Sequence, residues 1–599
     1  MYMTSIFARR IPASRPVRAL TAGLGCCLVI FMVAGCAPPE AEFSSSEETA
    51  GLLPPAAQAV EDAVKEHFGT PEEIVAWLRM PLAFGGITGV VVEDDSETSD
   101  EAPYSKTFKV DFSGPAMLVK YDQNYDEELS LDEFPVSLQE ALMEKRGSKT
   151  TFERYDRDGN GSFSVEEIEK ARVKSDEWET EMISAVTEEN ANELVGKTVT
   201  FADGLYVKQS TQIADLDPET GRMTVTAKGF EKPIEAGTRI VVDFGEKLRH
   251  GRTAYMQHCM HCHGVTGDGN GPTAEYLNPL PRDYRQGWFK FASTGQNDPP
   301  HTSDLDRIIR RGIPGTYMPS FALLKDDEVT NIVEYVRWLS MRGNLELSLA
   351  GRMSREYSEA SVQDEIDTAQ ARYQQAIEKW EEDGQKGEKP VLKKTAAKVR
   401  KDRMDDLNDD LEKIPGYLDR YADQIATNWR QAQEITHSIY PQEPRTPDTE
   451  ASRSRGRLLY LRNNCHNCHG VTGEGNGPRT REFDKDPVTN EPYPTPGLYN
   501  KWGHPIEPRN LTKGMYRGGR RPLDLYRRIH EGMPGTPMPP YGKLEDGQIW
   551  DIVNYVMSLP YDDPLAGTPE ESEDDSAQED VATTKNNQNQ HLVAKTVDE

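Results

Sequence analysis

The sequence predicts a multidomain, mainly α-helical protein with one small β module and a helical linker. Three observations predict it: the chain has 599 residues, two of its segments repeat one another, and charged runs poor in Gly and Pro lie between the copies. That length suggests three to five domains. Apolar residues are 36% and charged residues 28%, with 47 Gly and 40 Pro, which excludes a polytopic membrane protein and a single large core. The net charge of −31 is unevenly spread: −25 over residues 37–245 and −9 over 561–599, against +1 over 246–343 and +5 over 453–560. The repeated segments are therefore neutral to basic, and overall acidity says little about what docks there.

At the N-terminus, Arg9, Arg10, Arg15 and Arg18 precede an uncharged run, Leu20 to Gly35, too short for a comfortable membrane span. Its end, Val33-Ala34-Gly35-Cys36, resembles the lipobox of bacterial lipoproteins. That resemblance implies an exported chain, acylated on Cys36 and facing the periplasm, with residues 1–35 as signal peptide. An ordinary signal peptide cleaved nearby is the alternative, and the residues after Arg9-Arg10 fit a twin-arginine signal poorly. Residues 36–58, rich in Ser, Glu, Ala and Pro, read as a flexible tether.

Residues 59–109 carry a helical pattern to about Pro81, broken at Gly69-Thr70-Pro71, and then an acidic loop. Within 110–190 lie two acidic loops. Asp156, Asp158, Asn160, Gly161, Ser162, Ser164 and Glu167 fill positions 1, 3, 5, 6, 7, 9 and 12 of an EF-hand, with apolar Phe163 at position 8. Asp122, Asn124, Asp126, Glu128, Ser130 and Glu133 match the same ligand positions, but Glu127 stands where Gly is wanted. A Glu there must adopt positive φ at a cost of about 1–2 kcal/mol, so the first loop should be the weaker calcium site. Acidic turns without metal are the competing reading. Residues 191–245 change period: Thr198–Phe201, Arg222–Thr226 and Arg239–Val242 read as strands of a small β module, with Asp217–Gly221 as a turn.

The repeat follows. Cys262–Pro272 matches Cys468–Pro478 with one Asp-to-Glu change; Gly312 to Pro319 matches Gly532 to Pro539; Ile332–Val336 matches Ile552–Val556. Three blocks in one order mean two copies of one domain, 246–343 and 453–560. Copy two has 31 residues from Pro478 to Arg509, against 10 from Pro272 to Arg282. Residues 344–452 read as a helical linker, two long helices in a hairpin, and the acidic tail 561–599 reads as disordered.

Each copy contains Cys-x-x-Cys-His: Cys259, Cys262 and His263, then Cys465, Cys468 and His469. This is the attachment signature of haem c, in which two thiols one turn apart bond the vinyl groups and the histidine reaches the iron. A lone instance would also suit a zinc or redox pair, but a histidine next to the second cysteine in both copies argues against that. No cysteine is left for a disulfide. The two segments resemble class I cytochrome c domains in tandem, similar to di-haem subunits associated with haem-copper oxidases. The resemblance implies two small all-helical folds, each around one covalent haem, with His263 and Met318 as axial ligands of the first and His469 and Met538 of the second. Met533 is not a repeated feature, since its counterpart is Ile313. The competing reading keeps the methionines as core, with water or one of His301, His504 and His530 as sixth ligand. His258, His261 and His466 read as surface or turn residues. Arg282 and Arg509 also match across the copies, and either bind haem propionates or pair with carboxylates of the protein.

His/Met ligation fills both axial positions and raises the potential relative to His/His. The expected function is electron transport in a respiratory chain, with no catalytic residue. Expected partners are a membrane redox complex or terminal oxidase, other electron carriers and, through Cys36, the lipid bilayer, with no nucleic acid. A di-haem redox enzyme (peroxidase-like or thiosulfate-oxidising) and a calcium-responsive module are the alternatives.

Overall fold

A computed structural model describes residues 41–561, except 78, 95–104, 116–120, 122–127, 135, 147–148, 158, 160, 172–181, 189, 203, 207–208, 227–231 and 488–489. Cys36, Asp122, Asn124, Asp126, Asp158, Asn160 and residues 562–599 lie outside the described residues. Helix α1 (Pro54–Phe68) starts on proline, which lacks the N–H that a first turn leaves unbonded, and buries Ala56, Val60, Ala63, Val64 and Phe68 on one face. The expected tether is therefore shorter than 36–58. Leu52 and Leu53 are also buried, and Glu346 accepts hydrogen bonds from Ser46 N (2.7 Å) and Thr49 Oγ1 (3.1 Å). Ser44 Oγ lies 2.9 Å from Thr266 Oγ1. Apolar side chains and a buried carboxylate hold this stretch to the body.

The β module is not confined to 191–245. Strands β1 (Ile87–Asp94) and β2 (Ser105–Asp111) come from the stretch read as helical or irregular. After β3 (Glu128–Ser130) and β4 (Ser162–Ser164) come β5 (Thr198–Phe201), β6 (Ser210–Asp217), β7 (Arg222–Thr226) and β8 (Arg239–Val242). Six of them close an antiparallel barrel in the order β1-β8-β5-β6-β7-β2, with Met223 opposite Phe108 and Ile240 opposite Phe201. Closure removes the sheet edges, and alternate side chains such as Phe108, Val110, Val199 and Phe201 fill the inside. The acidic-loop segment leaves the barrel after β2 and returns at β5. Its β3 and β4 pair antiparallel with Leu129 opposite Phe163, over Phe134, Leu138, Phe152 and Ile168.

The first repeat copy is built on α2 (Glu246–His258), α3 (Thr302–Arg311) and α4 (Asp326–Tyr357). Helix α4 has 32 residues and passes the expected boundary at 343 without a break. Its second half packs on α1 and on the linker, which has three helices rather than the expected two: α5 (Glu359–Glu382), α6 (Ala396–Leu411) and α7 (Ile414–Gln431). The third is a separate helix because Leu418, Ala422, Ile425, Ala426 and Trp429 give it a buried face of its own. Copy two comprises α8 (Glu450–Arg462), α9 (Pro522–Glu531) and α10 (Asp546–Ser558). Among the described residues, no helix is long and apolar enough to cross a membrane.

In each copy the first and last helices cross at a glycine. A Cβ on Gly251 would lie 2.0 Å from the Asn331 carbonyl oxygen, and one on Gly456 2.0 Å from that of Asp551. Alanine would gain about 1 kcal/mol of helix propensity but costs about 1–3 kcal/mol of overpacking. Gly251→Ala and Gly456→Ala should therefore lower the thermal midpoint of the copy that carries them. Gly351→Ala, on α4 and with nothing within 4 Å, should raise stability by up to about 1 kcal/mol. Calorimetry of the three variants checks this, and an unchanged midpoint for both crossing variants contradicts the packing argument.

Candidate functional site

The helix crossing aims each Cys-x-x-Cys-His turn at one place. Helix α2 runs into the turn Met260–His263, and α8 into His466–His469. A buried tyrosine fixes each turn: Tyr255 Oη donates to the Gly264 carbonyl at 2.8 Å, and Tyr460 Oη to the Gly470 carbonyl at 2.7 Å. In copy one, Tyr255 also shares a 2.5 Å hydrogen bond with Tyr284, whose ring packs on His263. Burial pushes the Cys465 thiol up to about 11 and Cys259 up to about 12, so these thiols are neutral; none of the four is in a disulfide.

The methionine loops line the same cavity as the turns and are held alike in both copies. Ile313 N donates to the Met318 carbonyl (3.1 Å) and Met533 N to that of Met538 (3.2 Å). Thr316 and Thr536 each accept from the methionine N–H, at 3.2 and 3.3 Å, and donate to the 313 or 533 carbonyl. The loop geometry therefore follows the Gly-x-Pro-Gly-Thr block.

Cys259, Cys262, His263 and Met318 line a cavity of about 650 Å³ together with Cys465, Cys468, His469 and Met538. The two copies open onto one continuous apolar space, with Leu305, Ile309, Ile332 and Val336 matched by Leu525, Ile529, Ile552 and Val556. His301, His504 and His530 do not line it: His301 caps α3, and His530 Nδ1 meets Glu531 at 2.7 Å. His258 and His261, read as surface or turn residues, do line it, as does Met533; His466 carries a buried, unpartnered Nδ1.

Burial brings His263 down to about 4 and also lowers His469, which keeps both imidazoles neutral with a lone pair for a metal. His469 Nδ1 donates to the Arg509 carbonyl at 3.1 Å, leaving Nε2 as the free nitrogen. The Arg282 carbonyl faces His263 in the same way, close enough to favour its protonated form but outside hydrogen-bond geometry. Cations also line the cavity. Sequence reasoning singled out Arg282 and Arg509; it missed Lys290 and Arg517, which occupy matched places in the two copies. Burial, then Arg282 and Arg517, bring Lys290 down to about 8. Arg282 Nη1 and Arg517 Nε are buried with no partner. Such a cluster is suited to carboxylates brought by a bound group. Arg282 and Arg509 themselves bond carbonyls rather than protein carboxylates: Arg282 Nε that of Trp288 (3.2 Å), and Arg509 Nε that of Met515 (2.7 Å).

Paired thiols, neutral buried histidines and thioethers lining one apolar cavity, with orphaned cations, together fit two haem groups. In the acidic loops, Asp156 accepts from Gly159 N (2.7 Å) and Gly161 N (3.0 Å), and Glu167 from Arg157 N (2.6 Å). Among the described residues, no group of three or more His, Cys, Asp or Glu converges as a metal cluster.

The cytochrome c family matches residues 248–340 and 454–560, so a cytochrome c domain is found in each copy. Such domains imply covalently bound haem c and haem-based electron transfer. No curated protein matches the chain. Among solved structures, a chain of the reducing HAO-like protein complex of Kuenenia stuttgartiensis is 23% identical, with 52% of this chain and 95% of that chain covered and a TM-score of 0.31.

Removing the Tyr460 hydroxyl breaks one hydrogen bond, whereas removing that of Tyr255 also orphans Tyr284. Tyr460→Phe should cost about 1 kcal/mol and Tyr255→Phe about 1–3 kcal/mol. Denaturant titration of both variants tests the ordering, and an equal or reversed loss refutes it.

Proposed function

We propose that this chain is an exported, membrane-tethered di-haem c-type cytochrome that carries electrons in a respiratory chain. The shared cavity carries the reading: its two sets of paired cysteines, histidine and methionine face one apolar space. Cys259 and Cys262, and Cys465 and Cys468, would hold the two haems covalently. His263 with Met318, and His469 with Met538, would be the axial ligands. Each haem, when bound, supplies reversible one-electron exchange at iron. With an imidazole and a thioether holding each group, these side chains would keep water and small oxidants away from that exchange. Arg282, Arg509, Lys290 and Arg517 would offset the propionate charge.

The partners are a membrane complex or terminal oxidase and other electron carriers, docking on copies whose charge is close to neutral. The arginine-flanked apolar run ending at Cys36 supports export and lipidation. We further propose that residues 110–190 form an EF-hand pair holding calcium at Asp156–Glu167, more weakly at the first loop. The pairing of Leu129 with Phe163 and the return of Glu167 to Arg157 N support it.

Met318→Ala and Met538→Ala should each remove half of the far-red methionine–iron absorption of the oxidised protein; a variant that leaves the spectrum intact overturns the assignment for that centre. Saturating calcium should raise the first thermal midpoint, by about 2.7 kcal/mol of stability at a hundredfold excess over Kd, and Glu167→Gln should abolish the rise. A midpoint indifferent to calcium and chelator refutes the calcium site.

A further inference from the structure

The two copies exchange contacts through the arginines. Arg282 leaves its own copy and donates from Nη2 to the Pro534 carbonyl at 2.7 Å, in the loop that carries Met538. Its guanidinium lies 4.0 Å above the ring of Trp502. A methyl on Gly535 would meet Trp502 at 2.6 Å and Arg282 Nη2 at 2.8 Å. Arg509 makes the reciprocal reach: a methyl on Gly315, in the Met318 loop, would meet its Nη2 at 2.6 Å. Each methionine loop has glycine where the other copy's arginine lands. Arg509 also holds its own histidine through the backbone, by the 3.1 Å bond from His469.

We infer that Arg282 is a crossed positioning residue, which braces the opposite copy's methionine loop through its guanidinium, while Arg509 only packs against the Met318 loop. The inference rests on the proposed His/Met ligation and adds that Met538 is not held by its own domain alone. A shift of the Met538 loop then bears on the Arg282 segment of the other copy, and the coupling is reciprocal. This brace uses the rigid fork of arginine, which lysine does not reproduce.

The test uses the full-length oxidised holoprotein and the affinity of imidazole, which competes with methionine for iron. The signal of each methionine methyl in paramagnetic NMR, assigned by its loss in Met318→Ala or Met538→Ala, reports each centre separately. Arg282→Ala should raise imidazole affinity at the Met538 centre about tenfold, the effect of one lost hydrogen bond from a charged donor, and change the Met318 centre, whose propionate charge Arg282 would also offset, by a smaller factor. Arg509→Ala, which loses only packing against the Met318 loop, should change the Met318 centre less than Arg282→Ala changes the Met538 centre. Arg282→Lys keeps the charge with less disturbance of folding and should show a smaller change in the same crossed direction. Changes confined to the mutated copy, equal at both centres, or absent overturn the crossing. If the wild-type protein shows no methionine methyl signal at either centre, the ligation reading falls first and takes the crossing with it.

Discussion

A contact with no room for a side chain sets the geometry of both repeat copies. Because α2 meets α4 at Gly251, and α8 meets α10 at Gly456, each first helix lies close enough to its partner to deliver the cysteine turn to the cavity wall. The tyrosine one turn later then reaches the carbonyl after the histidine. With a bulkier residue the helices separate, the turn retreats, and the tyrosine loses its acceptor. The chemistry of the cavity therefore begins with backbone packing, not with the ligands.

Helix α4 joins what would otherwise be separate modules. Buried charges along it are consumed locally: Glu334 accepts from Arg337 at 2.7 Å and from Ala83 N at 2.9 Å, while Arg337 reaches the Pro81 carbonyl. Buried ion pairs contribute little net stability, but removing one partner is costly, so these fix which segment docks where. They bring the stretch ahead of the barrel onto the first copy, and Phe84 receives a hydrogen bond from Lys247 N at the start of α2.

The site was more legible in the sequence than the architecture. Cys259, Cys262, His263 and their counterparts lie within one turn of each other, so spacing alone singles them out. Met318 and Met538 emerged because a duplicated chain offers its own comparison, and one copy's Ile313 removes Met533. The strands Ile87–Asp94 and Ser210–Asp217 escaped because a glycine interrupts one alternation and polar residues dilute the other. The 31-residue excursion before Arg509 looked like a mere insertion, yet it brings Trp502 to Arg282 and Lys501 to within 4.2 Å of the Trp288 ring. Contacts between residues 252 positions apart leave no periodic trace, so the meeting of the copies belongs to the fold alone.

The docking of residues 43–49 has a mechanical consequence. Phe43 lies under the Arg342 guanidinium at 4.1 Å, and Ser46 and Thr49 bind Glu346, one turn further along the same helix. Tension applied from the N-terminal side loads these clamps, together with the Ser44 contact to Thr266, against a continuous rod about 48 Å long. The first copy would then follow such a pull as a rigid passenger, while the seam between the copies is spared the strain.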